Sequence, residues 1–175
     1  MADFGLAFAY MMSNEEPDTS DPQYGKVHID NDGGLVRFGV NSNGLGKDLL
    51  LTNYYKDMPN EEANKECYFL YNIHAWNPML GSEIILQRVA SKIFDRSVNS
   101  GVYEAVKLAQ RACGVTADGK MGPITIGALN STNEIYILNE LVFWDLWFVQ
   151  QVLKNHPQYK IYEKDWIARA KKLPQ

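Results

Sequence analysis

Glu15 stands where an apolar, helix-forming run from Phe4 to Met12 gives way to a loop rich in Gly and Asp. Carbonyls at a helix C-terminus disfavour a carboxylate and favour the protonated acid. A carboxyl that keeps its proton near neutral pH can donate it. Hydrolysis of a glycosidic bond needs such a donor at the leaving oxygen, together with a second group that manages water or the developing positive charge. Asp30 and Asp32, on the following loop, are the nearest carboxylates for that second role. The same placement also suits ordinary exposed charges where a helix ends, and the local pattern leaves both readings open.

Tyr71 and Trp76 lie about one and a half turns apart near a second helix end, with Asn72, His74 and Asn77 among them. Aromatic faces and amides of this kind stack on and hydrogen-bond a sugar chain, although core packing with polar tips outward explains the spacing equally well. Asn99-Ser100-Gly101 has the composition of a polar helix cap and turn. The run Asp30-Asn31-Asp32-Gly33-Gly34 invites comparison with a calcium loop. Counted from Asp30, however, Leu35 falls at the sixth position, where glycine is needed, and Asn41 at the twelfth, where a bidentate glutamate is needed. Gly33 and Gly34 read instead as a tight turn. His28, His74 and His156 match no metal-ligand spacing, and Cys67 and Cys113, both in helical segments, read as buried thiols.

The elements that carry these residues follow from periodicity and punctuation. Phe4, Phe8, Met11 and Met12 predict a first helix, with Asp3 suited to its N-terminus and Pro17 closing it near Glu15-Glu16. Residues 17–46 predict a loop and small hairpin, with strand-like pieces at Lys26–Ile29 and Leu35–Val40. Helices are predicted from Pro59 to Trp76 and over Ser82–Asn99, the latter with Ile84, Ile85, Val89, Ile93 and Val98 inward. Others follow at Val102–Cys113 with Gly114 as cap, Ile124–Leu129, Ile135–Lys154 and Tyr162–Lys172. Phe143, Trp144, Trp147 and Phe148 are predicted to face the core.

With 175 residues, 46 % apolar and 12 % aromatic, the chain can bury a substantial core, and disorder is excluded. Its net charge of −4 argues against a general nucleic-acid binder. The charge is uneven: residues 1–90 hold 6 Lys/Arg against 13 Asp/Glu, and 91–175 hold 11 against 8. The division suggests an N-terminal lobe at 1–90 and a C-terminal lobe at 91–175, packed as one unit. Asp3 stands where a basic leader would, and the apolar run is too short to span a bilayer. The expectation is a protein made in the cytoplasm without a signal peptide and without membrane insertion.

Taken in order, these pieces resemble the lysozyme-like muramidases of glycoside hydrolase family 108, known from phage endolysins and bacterial secretion activators. That family has an apolar helix ending in Glu-Gly-Gly-Tyr, a loop of the form Asp-Pro-Gly-Gly-x-Thr-x-x-Gly-Ile-Thr, a Tyr and Trp pair, and a peptidoglycan-binding-like C-terminal region. Here Met11 to Glu15 matches the helix end, Gly33-Gly34 and Gly39-Val40 match the loop, and Tyr71 and Trp76 fit the pair. The stretch from Phe94 to Gly101, followed by Gln110 to Val115 and Asp118 to Thr125, is similar to the family nearly position for position.

The resemblance implies a mostly α, lysozyme-like fold with a small β element near the N-terminus, and no cofactor. It implies cleavage of the peptidoglycan glycan strand after N-acetylmuramic acid at the cell wall, with Glu15 as general acid. Glu15 rather than Glu16 keeps the family's register. Asp32 is the second group, and Tyr71, Trp76 and Asn99 line the groove. Three positions depart from the pattern: Glu16-Pro17-Asp18 replaces Gly-Gly-Tyr, Asn31-Asp32 replaces Asp-Pro, and Val36 replaces the threonine. Loss of a hydroxyl that orients water is comparable to deleting an oxyanion donor, about 2.7–4 kcal/mol. The alternative is therefore a non-catalytic peptidoglycan-binding or secretion-accessory protein that retains the fold.

Overall fold

The computed structural model describes residues 1–15, 20–30, 33–47 and 53–175. Helix α1 (Phe4–Glu15) buries Phe4, Ala7, Phe8, Met11 and Met12, the face its apolar spacing predicts. Asp3 Oδ1 accepts the Leu6 backbone N–H at 2.9 Å, satisfying one of the orphan donors of the first turn.

A three-stranded antiparallel sheet follows, in the order β1 (His28–Ile29), β2 (Leu35–Arg37), β3 (Val40–Asn41). His28 lies opposite Val36, and Arg37 opposite Val40. The continuous strand predicted over Leu35–Val40 is thus two strands. Phe38 and Gly39 reverse the chain between them, with φ of 49° and 74°. Positive φ at both central residues is the two-residue turn that matches strand twist, and Gly at the second position makes it accessible.

Helix α2 (Asn60–Tyr71) runs into a π-helical turn, Asn72–Trp76, so the predicted helix end at Trp76 is reached by a wider winding. Wide turns of this kind are frequent at functional sites. The helix predicted from Ser82 begins only at Gln87. A short 3-10 turn (Gly81–Glu83) and extended backbone at Ile84 come first, and Ile85 is 54 % exposed rather than inward. Asn130 accounts for the break. Its side chain accepts from Ile85 N and donates to Glu83 O, two backbone groups that a continuous helix would have used itself.

The remaining helices are α3 (Gln87–Ser100), α4 (Val102–Ala112), α5 (Pro123–Ser131), α6 (Glu134–Asn155) and α7 (Glu163–Lys171). Gly101 and Gly114, at φ 81° and 73°, close α3 and α4, and Pro123 opens α5. The core is one continuous cluster reaching from Ala2 to Leu141. At its centre Phe94 of α3 meets Phe4 at 5.4 Å, Trp76 at 5.9 Å and Tyr71 at 6.3 Å, all edge-on.

The aromatic run of α6 divides. Trp144 and Phe148 are half-buried, but Phe143 is 58 % exposed and Trp147 also reaches solvent, a correction to the predicted core stripe. Four successive aromatics span more than one face of a helix, so no single packing surface can take them all. The Arg111 guanidinium covers part of that surface, 5.5 Å from the Trp144 ring and 4.9 Å from Trp147. Cys67 is fully buried and Cys113 half-buried, both as free thiols. Among the described residues no helix is long and apolar enough to cross a membrane.

Candidate active site

Glu15, the last residue of α1, meets the turn between β2 and β3. A Cβ on Gly39 would stand 3.3 Å from Glu15 Cδ and 3.0 Å from Tyr71 Oη. Bare backbone at Gly39 is therefore what lets the turn, the acid and the phenol converge. The turn is held from behind. Phe38 is fully buried, its carbonyl accepts from Cys67 Sγ at 3.4 Å, and its ring packs edge-on against Tyr24.

Arg37, also buried, anchors the strand. It donates to the carbonyls of Gly25, Tyr54 and Met58 and to Asn60 Oδ1 at 2.6–2.8 Å. Burial lowers the proton affinity of this guanidinium, and the ring of acceptors offsets the desolvation. A buried arginine at the end of a three-residue strand follows no periodicity, and the sequence contains no signal for it.

Glu15 has a partner that the sequence analysis does not anticipate. Its Oε1 lies 2.7 Å from Nη1 of Arg169 on α7. The other edge of the same guanidinium is bidentate to Asp95 of α3, Nη2 to Oδ1 at 2.7 Å and Nε to Oδ2 at 3.2 Å. Asn14 Nδ2 also donates to Asp95 Oδ1, at 3.0 Å. The helix-end carbonyls invoked for Glu15 thus act beside an opposing cation. Burial works against the charge of Arg169, but Asp95 and Glu15 together raise its proton affinity above the ordinary guanidinium range.

Helix α7 is seated by a second buried cation. Lys92 of α3 donates to the carbonyls of Arg169, Ala170 and Lys172 at 2.9–3.1 Å, the orphan acceptors of that helix's last turn. It also pairs with Asp145 of α6 at 3.4 Å, and Asp145 pairs in turn with Arg96. From the tail beyond α7, Lys172 Nζ reaches Ser13 O at 3.2 Å, and Tyr10 Oη donates to Lys172 O at 2.9 Å. The C-terminal segment is therefore bonded directly to the helix that carries Glu15.

A cleft of about 370 Å³ opens beside the Phe38–Gly39 turn. Gly39 and Asn41 form one wall, Tyr71, His74 and Ala75 from α2 and its π turn another, and Ser97, Val98, Gly101 and Val102 the third. Glu15 is not itself a lining residue; it stands against one that is, Gly39. Burial, then the nearness of Cys67 and Glu15, pushes the Tyr71 phenol far above its usual range, so it is a hydrogen-bond donor at every pH of interest.

Of the residues predicted for the groove, Tyr71 lines this cleft and two do not. Trp76 is 1 % exposed, packs against Phe4 and Phe94, and donates its indole N–H to Ser82 Oγ. It is core. Asn99 lines a separate cavity of about 300 Å³, with Arg96, Phe148, Trp166 and the other side of Arg169. Helical rotation explains both: the π turn swings Trp76 inward, and Asn99 lies two residues from Ser97 and so on another face of α3. Asp32, together with Glu16-Pro17-Asp18 and Asn31, lies outside the described residues. Val36 is buried on β2, an apolar contact where the motif has a hydroxyl. His74, noted beside Tyr71 in the sequence, lines the cleft, and Ser97 joins it without having been predicted to. Among the described residues no three His, Cys, Asp or Glu side chains converge to hold a metal ion.

No protein-family model matches this sequence, and no curated protein matches it. Among solved structures, that of Brucella abortus SagA aligns over 95 % of this chain and 88 % of its own, with a TM-score of 0.74 and 23 % identity. The chain thus has the mostly α, lysozyme-like fold with a small antiparallel sheet.

Proposed function

We propose that this protein is a peptidoglycan hydrolase of the lysozyme type, cleaving the glycan strand at N-acetylmuramic acid with Glu15 as general acid. The observation that carries the reading is the meeting of Glu15, Gly39 and Tyr71 at the edge of a cleft bounded by the hairpin and by α2 and α3. Bare backbone at Gly39 lets the helix-terminal carboxyl and the phenol approach the turn that walls the cleft. Tyr71, held protonated, can donate to a sugar oxygen, and His74 and Ser97 add polar contacts along the wall. The fold shared with Brucella SagA and the sequence resemblance to family 108 support the same reading. Asp32 is the proposed second carboxylate, and the chemistry needs no cofactor. The place of action is the cell wall, reached after synthesis in the cytoplasm.

Two observations favour a second reading, a peptidoglycan-binding or secretion-accessory protein without catalysis. Glu15 is ion-paired with Arg169, and Val36 offers no hydroxyl to orient water. Purified sacculi incubated with wild-type protein and with Glu15→Gln decide between them. Catalysis predicts soluble muropeptides with new reducing ends from the wild type and a loss of about 10²-fold or more in the variant. Equal release by both removes Glu15 from the mechanism. No release by either, with protein sedimenting on the sacculi, establishes the binding reading.

A further inference from the structure

Resting on the assignment of Glu15, we infer that Arg169 is the positioning residue of the acid, and that α7 completes a site whose other parts come from the first 102 residues. The guanidinium is a fork with two jobs. One edge is locked bidentately on buried Asp95, and Nη1 is thereby aimed at Glu15 Oε1. A side chain fixed by Asp95 at one end can orient a carboxylate at the other with little loss of entropy at the moment of reaction.

The geometry assigns the two oxygens of Glu15 different duties. Oε1 is tied to Arg169, so Oε2 is the oxygen that serves the glycosidic bond. Asp95 has a second effect. It takes two of the guanidinium's donors, so that Glu15 receives one contact rather than a full bidentate clamp. The scaffold is built for this arrangement: Lys92 fills the carbonyls at the end of α7, Asn14 steadies Asp95, and Lys172 ties the tail to Ser13.

Three variants and two measurements test the assignment. Arg169→Gln removes the charge and the fork, Arg169→Lys keeps the charge alone, and Arg88→Gln loosens the same C-terminal tail through its bond to Pro174 O without touching Glu15. On sacculi, Arg169→Gln is expected to lower kcat about 10²-fold with KM within about twofold. Arg169→Lys is expected to recover part of that loss, and Arg88→Gln to keep wild-type kcat. In protein carrying 13C-labelled Glu carboxyls, the Glu15 resonance, assigned by its disappearance in Glu15→Gln, is expected to shift in Arg169→Gln and to stay in Arg88→Gln. Unchanged kcat in Arg169→Gln overturns the inference, as do losses in Arg169→Gln and Arg88→Gln that simply follow their melting temperatures. If the wild type releases no muropeptides, the hydrolase reading fails by itself. The carbon resonance then decides whether Arg169 sets the state of Glu15, and an unmoved resonance overturns that too.

Discussion

A methyl group on Gly39 would press on Tyr71 Oη and Glu15 Cδ together, and the backbone there sits at φ 74°. Left-handed backbone costs an L-residue about 1–2 kcal/mol. Gly39→Ala is expected to lower stability by about that amount in urea titrations, and to reduce muropeptide release more than its stability loss explains, because the added carbon displaces the acid. A variant with wild-type kcat would mean that the turn and Glu15 are not functionally joined. At this scale the position of Glu15 at the end of an apolar helix was legible from local order, and its role as candidate acid from the family resemblance. Trp76, Asn99 and Arg169 were not. A side chain's type states what it can bond, and only the rotation of its helix states what it faces. Trp76 turned inward and Asn99 turned to a different cavity, while Arg169 came to Glu15 from the far end of the chain.

Helix α7 is short, and its outward face is strongly charged. Its placement rests on buried Lys92, 2 % exposed, which serves three of its terminal carbonyls and Asp145. Lys92→Met removes these donors and leaves Asp145 to Arg96 alone. Breaking a buried ionic contact from one side typically costs about 3–5 kcal/mol. That loss is expected in the unfolding free energy, together with increased proteolysis after residue 155, where α6 ends. A loss under about 1 kcal/mol would show that α7 is held by its apolar contacts. Elements with strong punctuation were readable, such as α1 before Pro17, α4 before Gly114 and α5 at Pro123. The start of α3 was misplaced because Asn130, distant in sequence, takes the backbone groups of residues 83–85. The α6 aromatics read as core because composition does not reveal which side of a helix meets its neighbours.

Burial of weak acids gives the whole molecule a pH dependence. Cys67, Tyr54, Tyr71 and Tyr10 all have proton affinities raised above their ordinary values, 9.0 for the thiol and 10.0 for the phenols, chiefly by desolvation. Each binds its proton more tightly folded than unfolded. Their contribution to stability is complete below the unfolded values and is lost as pH rises through them toward the folded ones. Lys92, lowered from 10.5 by burial, acts oppositely in the window just below that value, one group against four. The urea midpoint is expected to be lower at about pH 11 than at about pH 8, and Cys67→Ala to reduce the difference. A midpoint that held constant or rose would contradict the buried, protonated state of these side chains.

The charge imbalance between the first 90 residues and the rest now has a concrete point of contact, since a cation from the basic segment reaches the acid at the end of α1. By itself the sequence determined the helical class, the hairpin and most helix limits, because propensity, capping and apolar periodicity act over a few neighbouring residues; Glu15 as candidate acid came from the family resemblance. Only the tertiary structure decided which polar groups meet Glu15, which aromatics line the cleft, and that Arg37 and Lys92 lie inside. Those outcomes depend on how helices rotate and dock, and the desolvation of a charge is offset by partners that can stand anywhere along the chain.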